Sequence, residues 1–425
     1  RARTAGAAAV PAPRELALLP AGAVARRRGG CRHAASVTLT ERRLKEFMQA
    51  EIGYFAGMSA QPVELTHIFK ASTPELAAEL ILRQLPIHFA TRIKHIEALC
   101  EWGSVPELVQ VRNTLAESFQ KLRLLETFAS NLEPLTLVIH DLRQRHKAIV
   151  PLLGVAMADL RHRGLVSEAD GNKWLDAFLL ARISTEMCTL HYIMMLKAGQ
   201  EAQAGRRGII DPKCNPSEIC RQAVVNVQRD PRYRTVPMPV ESFVSPSAEK
   251  GIEFSFLPQY LLMIVEELIK NSACASVMRT ERDSRTSRPK GSSGSGEYPP
   301  VRVFVGADDT QVMIEVSDKG GGITSKNFDS IWSYSSTQAP SSGGPGASST
   351  AEERLGMSWA DPLSGLGIKQ RLGMGLPLTR LYTQYLGGSL ELMSIPGVGV
   401  DTFINLKRID PDEIRARSPP VAAKD

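Results

Sequence analysis

Apolar residues recur at helical spacing through the first half of the chain. Leu76, Leu80, Ile81 and Leu85 follow the three-and-four rule and predict a helix. It is opened by Ser72-Thr-Pro-Glu75, which reads as a capping box with a proline in the first turn. The same period over residues 87–100, 105–126, 133–163 and 172–198 predicts further long amphipathic helices. With short connections they form an antiparallel bundle over residues 39–205. Around Gly205-Arg-Arg-Gly208 the pattern changes. Residues 301–305 and 311–317 alternate like strands about the polar Asp308-Asp309-Thr310 turn, and 389–394 pairs with 400–407 about Gly397-Val-Gly399. Helical segments at 215–228, 257–279 and 376–386 lie between. The fold class is therefore α+β, with helices on one face of a sheet over residues 206–410.

Two low-complexity stretches interrupt this second half, at 284–299 and 338–353, and the first reads as a flexible surface insertion. The 425 residues and 43% hydrophobic content suit a globular chain of two to three domains. No run reaches the roughly 20 apolar residues of a membrane helix; Leu257 to Ile269 is broken by Gln259, Glu266 and Glu267. The formal charge of +6 invites a nucleic-acid reading. However, residues 1–38 alone carry seven arginines and one acid, Glu15, so the rest is neutral overall. That Ala-, Pro- and Arg-rich segment reads as a mitochondrial transit peptide, the alternative being a basic arm that grips nucleic acid. Residues 411–425 form a tail. Six scattered cysteines without a CxxC pair argue for reduced thiols.

Three motifs carry the chemistry. Glu267-Leu-Ile-Lys270-Asn271 places a carboxylate and a carboxamide four apart on one helix face. One can take a proton, and the other can offer oxygen to a hard cation such as Mg²⁺. Asp318-Lys-Gly320-Gly321-Gly322 follows a strand, where glycines permit close backbone approach and the acid can accept from an exocyclic amine such as that of adenine. Arg371-Leu-Gly373-Met-Gly375-Leu-Pro377 leads into a helix whose N-terminus suits a phosphate. Neither a Walker lysine nor a Rossmann fingerprint accompanies them.

In this order the motifs resemble the ATP-binding fold shared by gyrase and histidine kinases. YSSTQAP (334–340), GLPLTRLYTQYLGGSLEL (375–392), GVGVDTFINLK (397–407), LPIHFATRIK (85–94) and RHKAIVP (145–151) narrow the likeness. They resemble the mitochondrial 2-oxo acid dehydrogenase kinases, over roughly residues 41–410. The resemblance implies a helical bundle followed by a histidine-kinase-like α/β-sandwich that uses ATP and Mg²⁺ to phosphorylate serines. The substrate is the decarboxylase alpha subunit; docking on lipoyl domains of the acyltransferase core, a homodimer and the mitochondrial matrix follow. It also implies roles: Glu267 as general base and Asn271 as metal ligand and nucleotide contact. Asp318, Gly320, Gly322, Ser336, Thr337, Leu372, Gly373, Met374, Gly375 and Leu376 complete the nucleotide site.

Departures from the family pattern are Met263 in place of a histidine one turn before the base, Cys274 in place of an arginine, Arg371 in place of a glycine, and Val400 in place of a threonine. They motivate one alternative, a non-catalytic ATP-binding regulator. Another is a histidine autokinase, because His140-Asp-Leu-Arg143 resembles a phospho-acceptor box. RIK (92–94), the Phe119–Leu122 run and Gly387-Gly388-Ser389-Leu390 lean toward the branched-chain complex. The longer matches at RHKAIVP, the Ser-Thr segment and TRLY favour pyruvate dehydrogenase.

Overall fold

The computed structural model describes residues 40–58, 63, 65–125, 131–198, 208–246, 251–287, 298–334 and 375–408. The leader and tail expected at 1–38 and 411–425 lie outside these residues. Contacts divide the chain after Lys45. Of the first unit only residues 40–45 are described, and they begin helix α1 (Glu41–Ala56).

The second unit, Glu46–Asp425, holds the other elements. Its helical part contains α2 (Leu65–Lys70), α3 (Pro74–Glu97), α4 (Pro106–Arg123), α5 (Glu133–His146), α6 (Ile149–His162) and α7 (Glu168–Ala198). Helix α3 packs on α4 and α7, and α4 also meets α5 and α6. Three expectations are corrected. The segments at 76–85 and 87–100 are one helix, because Pro86 is accommodated in the interior of α3. The segment 133–163 is two helices, separated at Lys147 and Ala148. The cap of α3 is Thr73, whose hydroxyl accepts from Leu76 N–H at 3.3 Å with Pro74 at the first helical position, so the Ser72–Glu75 box does not form the cap.

The sheet part adds β1 (Asp211–Cys214), α8 (Pro216–Gln228), β2 (Val240–Val244), β3 (Phe254–Phe256), α9 (Pro258–Ser287), β4 (Arg302–Ala307) and β5 (Gln311–Ser317). After these come α10 (Ser325–Phe328), α11 (Gly375–Tyr385), β6 (Ser389–Ile395) and β7 (Gly399–Lys407). Five strands run in the order β2-β4-β5-β7-β6, with β2 parallel to β4 and all other pairs antiparallel; β1 and β3 pair separately. The period-2 alternation works as expected. Val305, Ile314, Ile404 and Leu390 are cross-strand partners in succession and all are buried. Helix α8 packs on α9, and α9 in turn on β5 and α11. The α+β class stands. The short strands β1, β2 and β3 were not anticipated.

Helix α11 also touches α7 of the helical part. There the Tyr334 hydroxyl donates to Asp176 Oδ1 at 2.6 Å, and the Ser333 hydroxyl donates to Glu168 Oε1 at 2.7 Å. Tyr382 donates to Glu186 Oε2 at 3.1 Å.

Candidate active site

Helix α9 is the axis of the site. Its apolar residues Tyr260, Leu261, Ile264, Val265, Leu268 and Ile269 are buried, and this packing sets the helix rotation. The same rotation carries Glu267 inward, to 6% exposure. Among the described residues its Oε1 has no hydrogen-bond partner. Burial raises the carboxyl pKa; Lys270 opposes this and Glu266 adds to it. The neighbouring Glu266 behaves differently, because the Asn226 carboxamide on α8 donates to its Oε1. A buried acceptor left open in this way is a place where a ligand or a reacting group can be accommodated.

Asn271 follows one turn later and is half-buried. Ser272, next to it, donates its hydroxyl to the Asp318 carboxylate. Asp318 stands at the end of β5, 6% exposed, with Oδ1 accepting from Gly320 N–H at 2.7 Å. Burial raises its pKa, while the bonds from Gly320, Ser272 and Val400 act in the opposite direction. The main chains of Asp318 and Val400 also pair, N–H to O at 2.9 Å.

The glycines after Asp318 serve the protein's own packing. A Cβ on Gly320 would stand 2.4 Å from the Ala275 Cβ of α9. Gly322, at φ +68°, would place one 2.2 Å from the Ile395 carbonyl oxygen. Their demand is for close approach to α9 and to the end of β6, and not the approach to a ligand expected from the glycine run. Gly375 and Leu376 begin α11, and both are half-buried. Ser336, Thr337, Leu372, Gly373 and Met374 lie outside the described residues, as does Arg371. The structure thus places Asp318 and Gly320 against α9, the helix that carries Glu267 and Asn271, and Gly322 against the end of β6.

Among the departing positions, Met263 is half-buried one turn before Glu267. Cys274 faces Tyr233 and Arg232, and its thiol lies 3.8 Å from Met278 Sδ. Thr402 is buried close to Val400. His140 is exposed on α5, which packs against α4 and α7. Ser272, Asn226 and the α7 acids Glu168 and Asp176 were missed, since nothing in local spacing sets them apart. Among the described residues no cluster of three His, Cys, Asp or Glu side chains forms a metal site. A Mg²⁺ shared between phosphates and one carboxamide oxygen requires no such cluster.

The family model for mitochondrial branched-chain alpha-ketoacid dehydrogenase kinase matches residues 62–211. Pyruvate dehydrogenase (acetyl-transferring) kinase isozyme 1 of Homo sapiens is 26% identical over 382 residues, covering 86% of this chain and 81% of its own. The chain is similar to the mitochondrial 2-oxo acid dehydrogenase kinases. The corresponding kinase of Arabidopsis thaliana is 27% identical over 348 residues, 79% of this chain and 85% of its own. Isozyme 3 of Mus musculus is 26% identical over 384 residues, 87% of this chain and 86% of its own. The likeness spans both the helical part and the α9-centred site.

Proposed function

We propose that the chain is an ATP-dependent protein-serine kinase acting on the decarboxylase alpha subunit of a mitochondrial 2-oxo acid dehydrogenase complex, pyruvate dehydrogenase favoured over branched-chain. The observation that carries the reading is Glu267: buried, raised in pKa by that burial, and open at Oε1. Such a carboxylate accepts the proton of a substrate hydroxyl as its oxygen attacks phosphorus. Burial takes over the tuning that a histidine at position 263 would share. Asp318, held at the end of β5 by the Gly320 N–H, would accept from an exocyclic amine of the nucleotide. Asn271 would offer its carboxamide oxygen to a magnesium ion, which would neutralise phosphate charge. The names of the relatives support pyruvate dehydrogenase as substrate, and the family model supports the branched-chain kinase.

The reading extends to residues 39–205 as a docking bundle for lipoyl domains and residues 206–410 as the ATP-binding part. It also includes a homodimer, location in the mitochondrial matrix, and nucleotide contacts from Ser336, Thr337 and Leu372 to Leu376. These follow from the family likeness. The test offers both decarboxylase components side by side with labelled ATP, to the parent chain and to Glu267→Gln. Transfer to the pyruvate-type subunit, lost in the variant, is the expected result. No transfer to either, with parent and variant alike, refutes the kinase reading and leaves an ATP-binding regulator.

A further inference from the structure

Three residues of α9 touch the Asp318–Gly322 loop in succession. Ser272 donates to the Asp318 carboxylate, Ala275 fills the space that Gly320 leaves open, and Arg279 reaches the far end. Spacings of three and four residues place them in one stripe of the helix. Arg279 Nη1 donates to the carbonyl oxygens of Lys319 at 3.2 Å, Gly397 at 3.0 Å and Val398 at 2.9 Å. The first acceptor belongs to the loop, and the other two belong to the turn joining β6 and β7. Main-chain bonds join the same segments: Gly397 N–H to Gly321 O at 2.7 Å, and Gly321 N–H to Val398 O at 3.1 Å.

Three carbonyl oxygens that converge on one point repel one another unless a cation or strong donors hold them. A guanidinium supplies both. Its ion pair with Asp283, at 3.6 Å and half in solvent, contributes little beside these bonds. What Arg279 fixes is the segment that carries Asp318, the one acid on this loop.

We propose that Arg279 is a positioning residue for nucleobase recognition. By drawing the Lys319, Gly397 and Val398 carbonyls onto one guanidinium, it sets where the Asp318 carboxylate stands against a bound purine, without touching the nucleotide. The assignment rests on the ATP-binding reading and deepens it. It does not depend on which protein is phosphorylated.

The test uses the full chain with Arg279→Met, Arg279→Gln and Arg279→Lys. Calorimetric Kd values for ATP and GTP are measured beside kcat, KM for ATP and the melting midpoint. Loss of the charged donor is expected to weaken ATP binding about tenfold, the scale of one charge-assisted hydrogen bond. The ATP-over-GTP preference narrows, and kcat at saturating ATP stays within about twofold. Lys, which restores the charge without the fork, recovers part of the affinity. Gln gives the same comparison where Met fails to fold. A variant that melts earlier yet keeps the parent's base preference overturns the assignment while leaving the kinase reading intact. Absence of ATP binding by the parent chain overturns both.

Discussion

Glu267→Gln separates catalysis from stability. The substitution keeps the shape and removes the charge from a side chain that is 6% exposed and has an unmatched oxygen. An unmatched buried polar group costs about 1–3 kcal/mol, and more when charged. Lys270 offsets part of that cost. A gain of about 1–2 kcal/mol at pH 8 is expected, which in a chain of this size moves the melting midpoint up by about 2–4 °C. The sign follows from linkage. A carboxyl raised above its unfolded value holds its proton more tightly in the fold, so the ionised form costs stability above the raised pKa. The cost fades as the pH falls toward the ordinary carboxyl value of about 4.3. The variant's advantage should therefore grow as the pH rises and vanish near pH 4. At pH 8 kcat should fall by about 10²–10⁴, the usual worth of a general base, with KM for ATP unchanged. Scanning calorimetry at both pH values, together with labelled-ATP transfer, measures both effects. A variant that retains kcat, or that melts earlier at pH 8, refutes the assignment of Glu267 as a buried, unpaired base.

Other substitutions test the supports of the site. Gly322→Ala forces a side chain onto φ +68° and against the Ile395 carbonyl; a loss of about 1–3 kcal/mol and weaker ATP binding should appear in melting curves with and without nucleotide. His88 is buried with both ring nitrogens unpartnered among the described residues, and burial, aided by Arg92, lowers its pKa to about 4. A base depressed in this way loses stability as the pH falls below its unfolded value of about 6.5, a loss of about 3 kcal/mol by pH 4. His88→Leu should flatten that acid limb in urea titrations at pH 7.5 and 4.5; an unchanged slope contradicts the prediction. For the junction with α7, a double-mutant cycle on Asp176→Asn and Tyr334→Phe should give a coupling of about 1–2 kcal/mol, read from urea midpoints.

The parts of the fold legible in the sequence are those where one face is buried and the other is not. Strands β4 and β5 alternate cleanly because one face of each packs on helices α8 and α9. Strand β2 gave no such signal, since three of its five residues are exposed. A proline normally interrupts the hydrogen-bond ladder of a helix, yet Pro86 is buried inside the continuous α3, so the boundary expected between 85 and 87 is absent. At the site, Glu267, Asn271 and Asp318 were visible as a spaced set of chemical types. Arg279 was not, because its partners are main-chain carbonyls 40 and more residues away, and any residue type presents a carbonyl.

Helix α9 carries Glu267 and, five residues further on, Ser272, whose hydroxyl holds the Asp318 carboxylate. At 1.5 Å per residue the two are about 7.5 Å apart along one axis. On the proposed reading the proton-accepting group and the base-reading group therefore hold a separation set by one element rather than by two that can slide. Lengthening α9 by a single residue between Asn271 and Ser272 would turn the loop-holding stripe by about 100° relative to the Glu267 face. The two ends would then address different directions. On this plan the length of the ligand is measured along with its chemistry, and a molecule that satisfies only one end gains only part of the contact.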